Sequence, residues 1–132
     1  MNREQGMEKR TGGARPRIVV DGYNVIHQMP ELVPYLDSDL EHTRERLITL
    51  LASYAAGHGV KVTVVFDGRG GQPSAVRPVV GGVEVLYSRS PQDADQRIKA
   101  MITREKNPKS CTVVTSDRSI INHVRDYKAR TI

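Results

Sequence analysis

Three times along this chain a short run of apolar, mostly β-branched residues leads into an aspartate. Ile18-Val19-Val20 is followed by Asp21 and Gly22. Val62-Thr63-Val64-Val65-Phe66 is followed by Asp67 and Gly68. Cys111-Thr112-Val113-Val114-Thr115 is followed by Ser116 and Asp117. Short apolar runs without polar alternation read as strands buried on both faces, which is how parallel sheets covered by helices are built. A parallel sheet turns all its carboxyl ends to one side, where open α/β sheets bind ligands. If these strands are neighbours, the three acids meet at one rim. A further strand, Gly82 to Tyr87, is followed by a helix whose early turns carry Asp95 and point to that same side.

The connecting segments support this reading. Ser38 stands three residues before Glu41, the spacing of a capping box. Leu40, Leu47, Ile48, Leu50, Leu51 and Tyr54 then recur at helical spacing, with Gly57 or Gly59 as the stop. Ser90-Pro91 has the form of a helix start, and Ala94, Ile98, Met101 and Ile102 make an apolar face before Asn107-Pro108. Ile120, Ile121 and Val124 mark a short helix, and Ile132 lies in the start of another strand. Residues 22–37 read as irregular, broken by Pro30 and Pro34, and residues 68–82 as a glycine-rich loop. Residues 1–16 lack periodicity and read as a flexible basic arm before one domain over residues 17–132. The expected class is α/β with a mainly parallel sheet.

Composition narrows the function. With 38% hydrophobic and 27% charged residues the chain is neither wholly disordered nor a membrane protein. No apolar run approaches the ~18 residues of a membrane helix. The opening residues carry no secretory signal, and the single cysteine, Cys111, fits a reducing cytoplasm. The net charge of +5 favours anionic partners. Its distribution is more informative, because acidic islands sit inside a basic chain, as expected of a metal pocket ringed by charge that attracts nucleic acid.

Convergent carboxylates repel one another and raise their own pKa values unless a cation lies between them. Oxygen ligands suit Mg²⁺ or Mn²⁺, and such a site can activate water and stabilise a leaving oxygen in phosphodiester hydrolysis. Against this stands the ordinary role of aspartate at strand ends and helix caps. His27, His42, His58 and His123 lack ligand spacing and no cysteine pair exists, so zinc has no support. No G-x-S-x-G element is present, so acyl transfer has none either.

The motifs go further than the pattern. Val20-Asp21-Gly22-Tyr23-Asn24-Val25-Ile26 resembles the opening motif of the NYN-domain ribonucleases, in their YacP-like branch. Val64-Val65-Phe66-Asp67 is similar to that family's second acidic strand, Ala94-Asp95-Gln96-Arg97-Ile98 to its A-D-x-x-I helix and Val114-Thr115-Ser116-Asp117 to its T-S-D motif. The four occur in order, across residues 17 to about 130. The resemblance implies a PIN-like, Rossmann-like three-layer α/β/α sandwich. It also implies a metal-dependent endoribonuclease in which Asp21, Asp67, Asp95 and Asp117 hold Mg²⁺ or Mn²⁺. Asn24, Thr115 and Ser116 would support the pocket. The resemblance also implies a further strand and helix past Ile132, so the chain is expected to be either truncated or naturally short there.

Arg69, Arg77, Arg89 and Arg97 are candidate RNA-binding residues, able to grip phosphates bidentately. Lys99, Arg104, Lys106 and Lys109 read as a solvated helix face, and Asp93 as a helix-start acid. Tyr23 suits either stacking on a base or packing beside the pocket. Five tyrosines, one phenylalanine and no tryptophan make no aromatic platform for reading RNA sequence, so recognition falls to backbone and shape. The expected partner is RNA, with the ribosome or RNA-decay machinery as means of delivery and no membrane. The alternative is a catalytically weak RNA- or partner-binding module of the same fold.

Overall fold

The computed structural model describes residues 16–68, 79–88 and 93–132. Most of the N-terminal arm, the loop arginines Arg69 and Arg77, Arg89, and Ser90-Pro91 lie outside the described residues. The described strands are β1 (Arg17–Asp21), β2 (Lys61–Phe66), β3 (Val79–Val80), β4 (Val83–Tyr87), β5 (Cys111–Val114) and β6 (Arg130–Thr131). The helices are α1 (Gly22–His27), α2 (Leu40–His58), α3 (Ala94–Arg104) and α4 (Arg118–Asp126).

The strands join in the order β3-β4-β2-β1-β5-β6. Five of them are parallel, and only the short β3 runs antiparallel, paired to β4. That hairpin turns through Gly81 and Gly82, both at positive φ, the conformation a two-residue hairpin demands. From β1 the chain steps outward through β2 to β4, then returns to the other side of β1 with β5. The reversal lies between β1 and β5, and such a switch point opens a crevice at the strands' carboxyl ends.

Strand alternation sorts the core into two layers. Val19, Val65 and Val113 pack with Ile98 and Ile102 of α3 and Ile120 and Val124 of α4. Val20, Val62, Val64 and Phe66 pack with Ile26 of α1 and Leu47 and Ala55 of α2. The sheet is thus covered on both faces, the three-layer sandwich expected of strands this apolar. Cys111 is a fully buried member of the first layer, and burial pushes its thiol pKa up.

Several local expectations are corrected. Residues 22–37 are not irregular throughout: α1 forms directly after Asp21, and a 3₁₀ turn spans Val33–Tyr35. A six-residue helix is too short to display an apolar period. The cap of α2 is Asp39 rather than Ser38, its carboxylate accepting from the His42 amide at 3.0 Å. Gly59, not Gly57, ends that helix in the left-handed conformation. Helix α3 begins after its cap, Asp93. Asp93 accepts from the Gln96 amide at 2.8 Å while the Gln96 side chain accepts from the Asp93 amide at 3.1 Å, so two otherwise unpaired donors are satisfied together.

Candidate functional site

Asp21 is the last residue of β1 and is 9% exposed. The register sets Val20 beside Val114 of β5, so Thr115 follows at the level of Asp21. The Thr115 hydroxyl donates to Asp21 Oδ2 at 2.8 Å. Its oxygen also accepts from the Asp117 amide at 3.0 Å. One buried hydroxyl therefore ties the end of β1 to the turn after β5. Asn24, on α1, makes a second tie across the same crevice. Its Oδ1 accepts from the Ser116 amide at 2.9 Å and its Nδ2 donates to Ser116 Oγ at 3.0 Å. Of the three residues expected to support the pocket, Thr115 and Ser116 lie in the turn that carries Asp117, and Asn24 bonds to that turn.

Burial is the main cause that pushes the Asp21 carboxyl pKa above its ordinary value. The negative charges of Asp117, Asp95 and Asp67 push it the same way, in that order, and the Thr115 hydrogen bond opposes them. The fold therefore sets Asp21 within the field of the other three aspartates. They are not closed round one point, however. Among the described residues no three His, Cys, Asp or Glu side chains form a ready-made metal cage.

Local partners explain that openness. Asp117 is the N-cap of α4, its Oδ1 accepting from the Ser119 and Ile120 amides at 2.8 and 3.2 Å. Asp95 Oδ1 lies 3.0 Å from the Lys99 ammonium, an ion-pair contact without hydrogen-bond alignment. The same ammonium donates to Ser119 Oγ. Lys99 is therefore not merely part of a solvated face. It links α3 to the first turn of α4, where Asp117 sits. The i,i+4 spacing of Asp95 and Lys99 was the sequence signal for that pair.

The other predicted residues divide. Arg97 is half-buried on α3, and Asp67 stands just past β2. Beside Asp67 lies a group that sequence reasoning did not assemble. The Tyr23 ring packs on Phe66 at a centroid distance of 5.0 Å, and Phe66 on Tyr87 at 5.7 Å. Arg44 of α2 donates to the Tyr23 hydroxyl at 2.9 Å while its guanidinium sits 5.6 Å from the Tyr87 ring centroid. Tyr23 is thus a packed residue held at both ring and hydroxyl. Gly22 permits this closeness: a Cβ there would lie 2.5 Å from two atoms of the Phe66 ring.

Comparison with known proteins bears on this geometry. The model of the YacP-like NYN domain matches residues 18–132. A Bacillus subtilis protein described as uncharacterized protein YacP is 32% identical over 101 residues, which is 76% of this chain and 59% of that protein. The chain therefore spans about 59% of the length of that relative. The crystal structure of Rae1 (YacP) from Bacillus subtilis superposes with a TM-score of 0.73 at 28% identity, covering 87% of this chain and 67% of that one. A mutant form of the same protein superposes with a TM-score of 0.70. The fold, the order of the motifs and the matched residues together make this chain a member of the YacP-like NYN domain family.

Proposed function

We propose that the chain is a metal-dependent endoribonuclease that hydrolyses RNA phosphodiester bonds at the rim formed by Asp21, Asp67, Asp95 and Asp117. The observation that carries this reading is electrostatic. A buried carboxylate at the switch point of the sheet is opposed by three further carboxylates. Such repulsion is useful where a cation relieves it. The donor set is all oxygen, which fits hard Mg²⁺ or Mn²⁺ and not zinc. When bound, such an ion neutralises phosphate charge and eases deprotonation of water.

The chain's own residues prepare that chemistry. Thr115 fixes the orientation of Asp21, and the Asn24–Ser116 pair holds the turn that presents Asp117. Lys99, one turn on in the same helix, neutralises Asp95 until a cation takes its place. In the hydrolysis a water oxygen bonds to phosphorus, the bond from phosphorus to the ribose oxygen breaks, and that oxygen leaves with a proton. No protein nucleophile is required. Arg97, with Arg69, Arg77 and Arg89, supplies phosphate contacts, and the ribosome or an RNA-decay complex presents the RNA. The cytoplasm is the compartment that this partner set implies.

The test is a cleavage assay on single-stranded and hairpin RNA with Mg²⁺ or Mn²⁺, with EDTA, and with an Asp21→Asn protein purified identically. The expected result is EDTA-sensitive cutting that Asp21→Asn loses while its circular dichroism spectrum is unchanged. Turnover by Asp21→Asn at the parent rate would end the assignment. RNA retention without any cutting would instead support the binding-module alternative.

A further inference from the structure

A groove of about 490 Å³ adjoins the acid rim, and Asp67 is part of its lining. That volume falls in the ~300–1,000 Å³ range of small-molecule sites. One wall is aromatic and aliphatic, made by Tyr23, Val33, Leu36 and Leu40. Val33 is 39% exposed there, an apolar surface that the described fold leaves uncovered. The remaining lining residues are His27, at the end of α1, and Asp37.

Three features identify what this groove suits. First, it is continuous with the rim through Asp67, so a chain whose phosphate lies at the acids has its neighbouring base within reach. Second, Tyr23 is already immobilised, backed by Phe66 and held at its hydroxyl by Arg44. A rigid ring costs little entropy to stack against, and stacking on it accepts the face of any base. Third, the polar groups are a carboxylate and an imidazole. A carboxylate beside the rim repels phosphate, so Asp37 suits a base edge and not the backbone. Its two oxygens match the parallel N1–H and N2–H donors of guanine, while an imidazole N–H can serve the O6 and N7 acceptors. Adenine and cytosine offer the carboxylate an amino group flanked by an acceptor, and uracil an imide flanked by two.

We propose that this groove is a base-recognition subsite that receives an unpaired guanine next to the scissile phosphate. Tyr23 and the Val33, Leu36 and Leu40 wall clasp the base, and Asp37 selects it. The proposal rests on the nuclease reading for the word scissile, but base binding itself is measurable without cleavage. Because a paired base cannot enter, single-stranded RNA is the substrate class.

The experiment uses full-length Asp21→Asn protein in Mg²⁺, titrated into fluorescently labelled short uridine oligonucleotides that carry one central G, A, C or U. The G-containing strand should bind about fivefold or more tighter than the all-U strand, the low end of discrimination by a good base contact. Asp37→Ala, an exposed change, should erase that ratio while retaining salt-dependent binding. Val33→Asp should weaken binding of the G-containing strand to the level of the all-U strand. Equal binding of all four strands, or a G preference that survives both changes, would overturn the subsite. No binding to any strand would overturn it too. Cleavage by the parent protein, scored separately, distinguishes the two readings. EDTA-sensitive cutting without base preference removes the groove proposal alone. Base-selective binding without cutting leaves the groove and removes the nuclease.

Discussion

Gly22 stands at the junction of β1 and α1, and its lack of a side chain is a packing requirement. Its φ is not positive, so the conformation suits any residue. The obstacle is Phe66, whose Cδ1 and Cε1 would both lie 2.5 Å from a new Cβ, with the Val65 carbonyl oxygen at 3.1 Å. Carbon–carbon contacts settle near ~3.5–4.0 Å, so Gly22→Ala must part the two by about 1 Å. Phe66 is fully buried and confined by Tyr23 and Tyr87, so its ring has no free space to enter.

Overpacking of this kind costs about 1–3 kcal/mol. Alanine recovers roughly 0.5–1 kcal/mol over glycine in a helix interior, and less in a first turn. The net expectation is a loss of about 1–2 kcal/mol, the middle of the range those two figures leave. For a chain of this size that lowers Tm by roughly 3–8 °C. Thermal and urea unfolding would measure it, with Phe66→Leu and the double variant completing a cycle. Shortening Phe66 removes the obstacle, so the double variant should be at least ~0.5 kcal/mol more stable than the two single costs predict. Gly22→Ala within ~0.5 kcal/mol of the parent, or strict additivity, would refute the close-approach argument.

Other outcomes follow from the same site. Asp21 has a carboxyl pKa raised in the folded state, so its charge opposes folding once the pH exceeds the ordinary carboxylate value. Stability should therefore fall as pH rises from that value through the raised one. Asp21→Asn should lack this fall and unfold at higher temperature than the metal-free parent at neutral pH, and identical pH profiles by calorimetry would contradict it. Thr115→Val removes the hydroxyl that serves both the Asp21 carboxylate and the Asp117 amide, and should cost about 1.5–3 kcal/mol in urea unfolding. A loss under ~0.5 kcal/mol would mean that water replaces both bonds. Lys99→Met frees Asp95 from its ammonium partner. Because exposed pairs are worth ~0.2–1 kcal/mol, Mn²⁺ affinity measured calorimetrically should rise by less than about fivefold. A weaker Mn²⁺ complex would show that Lys99 positions Asp95 instead of competing for it.

Much of this was open to reading in the chain alone, for a definite reason. A buried parallel strand must be apolar on both faces, and a strand end that meets solvent is where polarity returns. The runs ending before Asp21, Asp67 and Asp117 carried both signals, and the motifs around them carried the family. Local hydrogen bonding was less legible. Ser38 and Asp39 are both good caps, and so are Ser90 and Asp93. Which one caps depends on where the helix axis meets the sheet, and that is a property of the whole domain. In α3 the reciprocal bonds between Asp93 and Gln96 decided it.

The sequence by itself therefore determined the class of the sheet, the acids at its rim and the family. Each of those rests on composition within a few consecutive residues. Tertiary structure alone decided which distant groups meet. It gave Thr115 to Asp21, 94 positions away, and Ser116 to Asn24, 92 away. It also assembled Tyr23, Arg44, Phe66 and Tyr87 into one packed group. Register between non-consecutive strands sets such contacts, and no local period encodes it.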